Sequence, residues 1–254
     1  MDQTGKTSAG RTELQMARSM CWHCQSEING EYFCEKCVKV QPLSKELDYF
    51  TCFGLPRHLK IDLLALEAKF YELSRAFHPD FYQNTSESEQ SISLGNAALL
   101  NTAYHTLRDP IQRAEYLLHL EAGSAKDIRT APPADLFEEI LELQENLEEF
   151  RSLSPDAEPD KHARLRARLE AERENLERRQ QAMDGNLNEL FLRWDILQAR
   201  ADATKALTPS KQAVLKDMRD LLSHRTYLRN ILDDLVTTLE AGKGHETHES
   251  HRRH

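Results

Sequence analysis

The chain has 254 residues, a formal net charge of −9 and a pI near 5.7, so it lacks the basic surplus that a general nucleic-acid binder normally carries. Nine glycines and nine prolines are few for this length, and no stretch approaches the roughly 20 consecutive apolar residues of a membrane helix. These numbers leave a helical protein with room for one large or two modest domains, and with neither nucleic acid nor membrane as an expected partner.

Residues 1–18 are polar and aperiodic, which predicts disorder. They have no apolar segment of the kind a secretory signal needs, and Asp2 and Glu13 argue against a mitochondrial presequence. The expected location is the cytoplasm, with a mitochondrial matrix as the alternative. Residues 19–42 hold four of the five cysteines, as CWHC (21–24) and CEKC (34–37). Each Cys-x2-Cys pair can present two thiolates from one tight knuckle, and the nine residues between them, with Asn29 and Gly30 at the turn, let the knuckles face each other around a tetrahedral ion. The alternative of two disulfides is disfavoured for a chain kept in a reducing compartment. Cys21, Cys24, Cys34 and Cys37 are therefore the expected metal ligands, with Tyr32 and Phe33 covering one side of the site. Zinc in a structural role is the expected ion, and four thiolates suit iron as well. A homodimer through this module is left open.

Short helical patterns fill 43–123: around 45–53, at 62–77, at about 91–108, and at 110–121 with Pro110 in the favoured first-turn position. In the second, Leu63, Leu66, Phe70, Leu73 and Phe77 recur at three- and four-residue spacing, Asp62 is a suitable N-cap, and Pro79 stops the helix. The proline accounts for the stop but not for His78 and Asp80 on either side of it. A general base with its orienting carboxylate would need a nucleophile and a pocket, and the sequence offers neither. Cys52 reads as a small buried residue within an apolar pattern.

The segment SAKDIRTAPPA (124–134) reads as a linker, because paired prolines cannot enter a helix interior. Long helical patterns at 135–150, about 160–206 and 211–240 then predict an antiparallel three-helix bundle over 135–240, since none of their apolar stripes can be buried alone. The stripe of the last comprises Val214, Leu221, Leu228, Leu232, Leu235 and Leu239. In LFEEILELQENLEEF (136–150), Leu136, Ile140, Leu143, Leu147 and Phe150 lie within about 40° of one line at 100° per residue. Phe137 and Leu141 lie about 100–140° away, with Glu138, Glu142, Glu145 and Glu149 beyond them. An apolar edge beside carboxylates is thus turned from the core. The tail 241–254 is His-rich and aperiodic, hence expected to be loose.

The order of LDYFTCFGLP (47–56), AFHPDFYQ (76–83), LLNTAYHTLRDPIQRAEYLL (99–118) and LFEEILELQENLEE (136–149) resembles the HscB-type J-domain co-chaperones of iron–sulfur cluster assembly. The likeness covers about residues 47–240 in layout and rests only on length and periodicity around 160–205. It implies an all-α protein: a four-cysteine metal-binding module, a helical J-domain over 43–123, and a C-terminal three-helix bundle. The implied role is not enzymatic. The protein would bind an IscU-type scaffold, bring it to a DnaK/HscA-type chaperone and stimulate that chaperone's ATPase. By resemblance, His78, Pro79, Asp80, Lys69 and Arg75 face the chaperone, and Phe137, Leu141, Glu142, Glu145, Glu149 and Tyr227 face the scaffold. Phe81 departs from the pattern, since many J-domains have Lys there; packing under the loop is one reading of it, and its role is left open. The rival readings are a regulatory or nucleic-acid adaptor built on the metal knuckle, and a general protein-folding J-protein.

Overall fold

The structure is a computed structural model that describes residues 19–28, 32–44, 47–122, 136–154, 157–200 and 208–241. The expected disorder of 1–18, the Asn29–Gly30 turn, the 124–134 linker and the tail beyond Ala241 lie outside these residues. The chain divides into two compact units, Met1–Leu120 and Glu121–His254.

The first unit begins with the cysteine module. Two short strands, β1 (Ser19–Met20) and β2 (Glu27–Ile28), pair antiparallel around the first knuckle, and a bridge between Phe33 and Val40 closes the second. The expected helical class holds, since these two-residue strands only frame the cysteines. Four helices follow: α1 (Tyr49–Cys52), α2 (Leu63–Ala76), α3 (Glu87–Arg108) and α4 (Pro110–Ala122). Asp62 caps α2 by accepting from the amides of Leu64 and Ala65. Helix α3 starts four residues earlier than its apolar periodicity suggests, because Ser86 and Glu89 form a capping box. Asp109 caps α4 by accepting from Ile111 and Gln112, with Pro110 at the first position.

Helices α2 and α3 run antiparallel: Phe70 stacks on Tyr104 at 4.2 Å between centroids, while Ser93 donates to the carbonyl of Phe77. Leu66, Leu73, Phe77, Leu100, Ala103 and Leu107 are buried. Leu63 is not part of that stripe, being 48% exposed, because at 100° per residue it sits about 60° off the Leu66 line. Cys52 is fully buried, and burial pushes its thiol up to about 12. That fits a packing residue and not a nucleophile.

The second unit is an up-down-up bundle of α5 (Phe137–Ser152), α6 (Pro159–Arg200) and α7 (Pro209–Ala241). Its core joins Leu136, Ile140, Leu143, Leu147 and Phe150 of the α5 segment to Leu165, Leu169 and Leu176 of α6 and Leu228, Leu232, Leu235 and Leu239 of α7. On α7 the expected seven-residue spacing fails at Leu221, which is only partly buried; Leu215, Met218 and Leu222 are buried instead. A straight helix drifts about 20° per heptad, so its core line cannot follow a strict seven-residue repeat. Leu169 has no exposed surface, so Leu169→Ala should cost about 2–5 kcal/mol of bundle stability in urea unfolding.

Candidate functional site

Three groups of residues bear on function. The first is the metal knuckle. The four cysteine sulfurs lie within 4.8 Å of one another, and two of their separations, Cys21–Cys37 and Cys24–Cys34, are 3.6 Å. A tetrahedron with metal–sulfur bonds of about 2.3 Å has edges of about 3.8 Å, so the sulfurs already fit such an ion. None of the five cysteines is in a disulfide. The two knuckles repeat one backbone pattern. Gln25 donates to the Cys21 carbonyl and Val38 to the Cys34 carbonyl, and Gln25 and Val38 both take positive φ, 62° and 58°.

Amide and side-chain donors surround the sulfurs, as suits thiolates. The amides of His23 and Cys24 point at the Cys21 sulfur, as does Nε2 of Gln41, while the Ser26 hydroxyl lies 3.1 Å from Cys24 and 3.2 Å from Cys34. The Ser26 hydroxyl draws the Cys34 thiol down to about 6, whereas burial pushes Cys37 up to about 12. His23 is exposed and stands edge-on to Trp22. Four thiolates leave a bound ion no open position, so the site can crosslink the chain but cannot activate a substrate. Tyr32 and Phe33, expected over the metal, instead pack against Phe77, at 5.5 and 6.3 Å between ring centroids.

The second group closes α2. His78, at φ −63° and ψ 124°, caps a 3-10 turn over Pro79–Tyr82; its Nδ1 accepts from the Asp80 amide and lies 3.5 Å from the Asp80 carboxylate. The Tyr82 hydroxyl donates to the Ala76 carbonyl, and Gln90 donates to the carbonyls of Gln83 and Thr85, tying the turn to the ends of both helices. The imidazole and carboxylate nevertheless stay more than half exposed. Lys69 pairs with Glu72 at 2.8 Å and Arg75 is exposed; the two stand about 120° apart around the helix. Phe81 does not pack under the loop. It is 71% exposed, edge-on to His78 at 6.0 Å, because Tyr82 takes the inward place by reaching Ala76.

The third group lies on the bundle. Phe137 and Leu141 are 58% and 51% exposed. Of the carboxylates beside them, Glu145 is exposed, whereas Glu142 turns to Arg168 and Glu149 to Lys161, both on α6. Glu148 falls between Phe137 and Leu141 around the helix and is also exposed, a position that the sequence reading did not name. Arg151 reaches Asp234 and Thr238, which fixes the α7 row facing α5. Tyr227 is two turns before Asp234 on that row, partly buried against the bundle core. Sequence reasoning also missed Glu89, Gln41 and Asn96, of which only Glu89 leaves a local signal, the Ser-x-x-Glu of its capping box.

An antiparallel helix pair joined through an exposed His-Pro-Asp turn is followed in the chain by a three-helix bundle. Human HscB, described as a co-chaperone, shares this fold with a TM-score of 0.63 and 22% identity, over 86% of this chain and 98% of the human one. The chaperone HscB from Vibrio cholerae matches with a TM-score of 0.51 and 23% identity, over 76% of this chain and 98% of its own. No family model matches the sequence. The fold is therefore the HscB fold, preceded by a four-cysteine knuckle.

Proposed function

We propose that this protein is a cytoplasmic co-chaperone, not an enzyme, which carries an IscU-type iron–sulfur scaffold to a DnaK/HscA-type chaperone and stimulates that chaperone's ATPase. The observation that carries this reading is the His-Pro-Asp turn. His78 and Asp80 are oriented by each other and anchored through Tyr82, yet exposed. Polar side chains held in place but unused within the fold are suited to a partner. Steady-state ATP hydrolysis by a DnaK-type chaperone, with and without the intact protein, tests this: hydrolysis should rise with co-chaperone concentration, and a flat response would end the proposal.

In this reading Lys69 and Arg75 supply positive charge for docking, and His78, Pro79 and Asp80 signal to the ATPase. The Phe137–Leu141 edge anchors the scaffold by apolar burial, with Tyr227 alongside, while Glu142, Glu145 and Glu149 steer a basic patch. Because Glu142 and Glu149 already have cationic partners on α6, Glu145 carries more of that steering. Phe137→Ala combined with Leu141→Ala should weaken scaffold binding about 30-fold or more, the loss typical of an interface hot spot. Both side chains are exposed, so folding stability should change by no more than about 1 kcal/mol. Titration calorimetry that found unchanged affinity would remove this surface from the mechanism. A chaperone that meets the turn and the scaffold on one molecule meets each at raised effective concentration. Cys21, Cys24, Cys34 and Cys37 hold a structural metal, zinc or, since four thiolates suit it equally, iron, which supplies a crosslink.

A further inference from the structure

The knuckle has almost no core of its own. Cys21, Ile28 and Cys34, with Cys37 packed against them, make up its buried cluster, so the ligands themselves are the interior and the metal is what would hold it together. Two of its contacts with the rest of the first unit bracket the His-Pro-Asp turn. Upstream of the turn, the rings of Tyr32 and Phe33 pack on Phe77, the fully buried C-cap of α2 and the residue directly before His78. Downstream, Lys39 pairs at 2.9 Å with Glu89, whose carboxylate also takes the Ser86 hydroxyl in the box that starts α3. A third link runs from the metal site itself. Gln41 donates to the Cys21 sulfur and to the Lys39 carbonyl, and its own carbonyl accepts from Asn96 on α3, whose side-chain oxygen takes the amide of Leu43.

The segment Phe77–Glu89 is thus held at both ends by residues of a module whose small core consists largely of metal-ligand cysteines. We infer that the metal-loaded knuckle is a positioning element for the His-Pro-Asp turn. Tyr32, Phe33 and Lys39 act as positioning residues, so metal occupancy sets how well the protein stimulates its chaperone. Loss of the ion frees residues 32–41, withdraws the two rings from Phe77 and the ammonium from Glu89, and leaves the turn anchored only by Tyr82, Ser93 and Gln90. The last step, from turn to ATPase, rests on the co-chaperone reading above; the coupling of metal to turn does not.

Full-length protein in three forms separates the two. Tyr32→Ala/Phe33→Ala/Lys39→Met removes both rings from Phe77 and the ammonium from Glu89 and leaves all four cysteines; Tyr32→Phe/Lys39→Arg keeps ring and charge; Cys21→Ser/Cys24→Ser removes two ligands. Amide hydrogen exchange over 78–90 should quicken about tenfold in the first and third and stay at the wild-type rate in the second, with α5–α7 protection unchanged in all. Chaperone ATPase stimulation should fall in the same two forms and hold in the conservative one. Wild-type exchange over 78–90 in the contact variant with its metal retained overturns the inference, even if the cysteine variant fails to fold. Faster exchange with undiminished stimulation overturns the positioning role. A wild-type protein that gives no stimulation at all defeats the co-chaperone reading instead, and leaves the exchange result to decide the coupling.

Discussion

His78→Gln should lower chaperone ATPase stimulation by about 30-fold or more, the scale of an interface hot spot, while changing folding stability by only about 1 kcal/mol or less. The imidazole is more than half exposed, and its contacts within the chain are the Asp80 amide and carboxylate and the edge of Phe81. His78 caps the turn through the Asp80 amide, and losing such a cap at an exposed site costs about 1 kcal/mol or less. With Nδ1 accepting from the Asp80 amide, the neutral ring carries its proton on Nε2, which points a donor away from the turn. Gln keeps a donor but not that placement. Asp80→Asn should act in the same direction, since it removes the charge while keeping the hydrogen bond from Gln83 to the side-chain oxygen. A steady-state ATPase titration is the measurement, and stimulation equal to wild type would show that the turn is not the signal.

Metal removal should have the largest structural effect and a confined one. Structural zinc on thiolate sites contributes an apparent 10–16 kcal/mol, roughly, at neutral pH, far more than a cluster of Ile28 and three thiols can replace. Chelation should therefore unfold residues 19–44 and expose them to limited proteolysis. The Leu136–Leu239 core of the bundle contains no cysteine, and its unfolding transition should be unmoved. Cys21→Ser should reproduce this at ordinary metal concentrations, because Cys21 is the ligand on which the His23 and Cys24 amides and Gln41 converge. Stoichiometric metal in Cys21→Ser, or resistance of 19–44 to protease after chelation, would contradict a four-ligand site.

Much of this molecule is legible in its sequence, and what is not has a common cause. Helix positions follow from apolar spacing and caps: Asp62 before α2, Pro110 at the start of α4, and the TPS break that places Thr208 ahead of α7 and Pro209 at its first position. The cysteine spacing identifies the ligands because tetrahedral coordination needs two knuckles and a loop long enough to oppose them. The failures arise where a side chain chooses between two neighbours that are distant in sequence. Tyr32 and Phe33 are as suited to shielding a metal as to packing on Phe77, and only the fold brings Phe77 within reach. Glu142 and Glu149 read as free carboxylates on a helix considered alone; Arg168 and Lys161, on the next helix, claim them. Phe81 is an apolar residue that a burial rule places inward, yet the Tyr82 hydroxyl finds the Ala76 carbonyl and turns Phe81 out. The capping box at Ser86 and Glu89 was readable, but not that Lys39 would also bind its carboxylate.

The proposed J-domain signal and the proposed scaffold surface lie on one chain, so cooperative stimulation tests both together. ATP hydrolysis by a DnaK-type chaperone should be followed with the protein alone, with an IscU-type scaffold alone, and with both. Stimulation by both should exceed the sum of the separate effects by about tenfold or more, as expected when one molecule presents two ligands to one chaperone, and Phe137→Ala/Leu141→Ala should return it to the sum. Purely additive stimulation, or cooperativity that survives loss of that apolar edge, would contradict the adaptor.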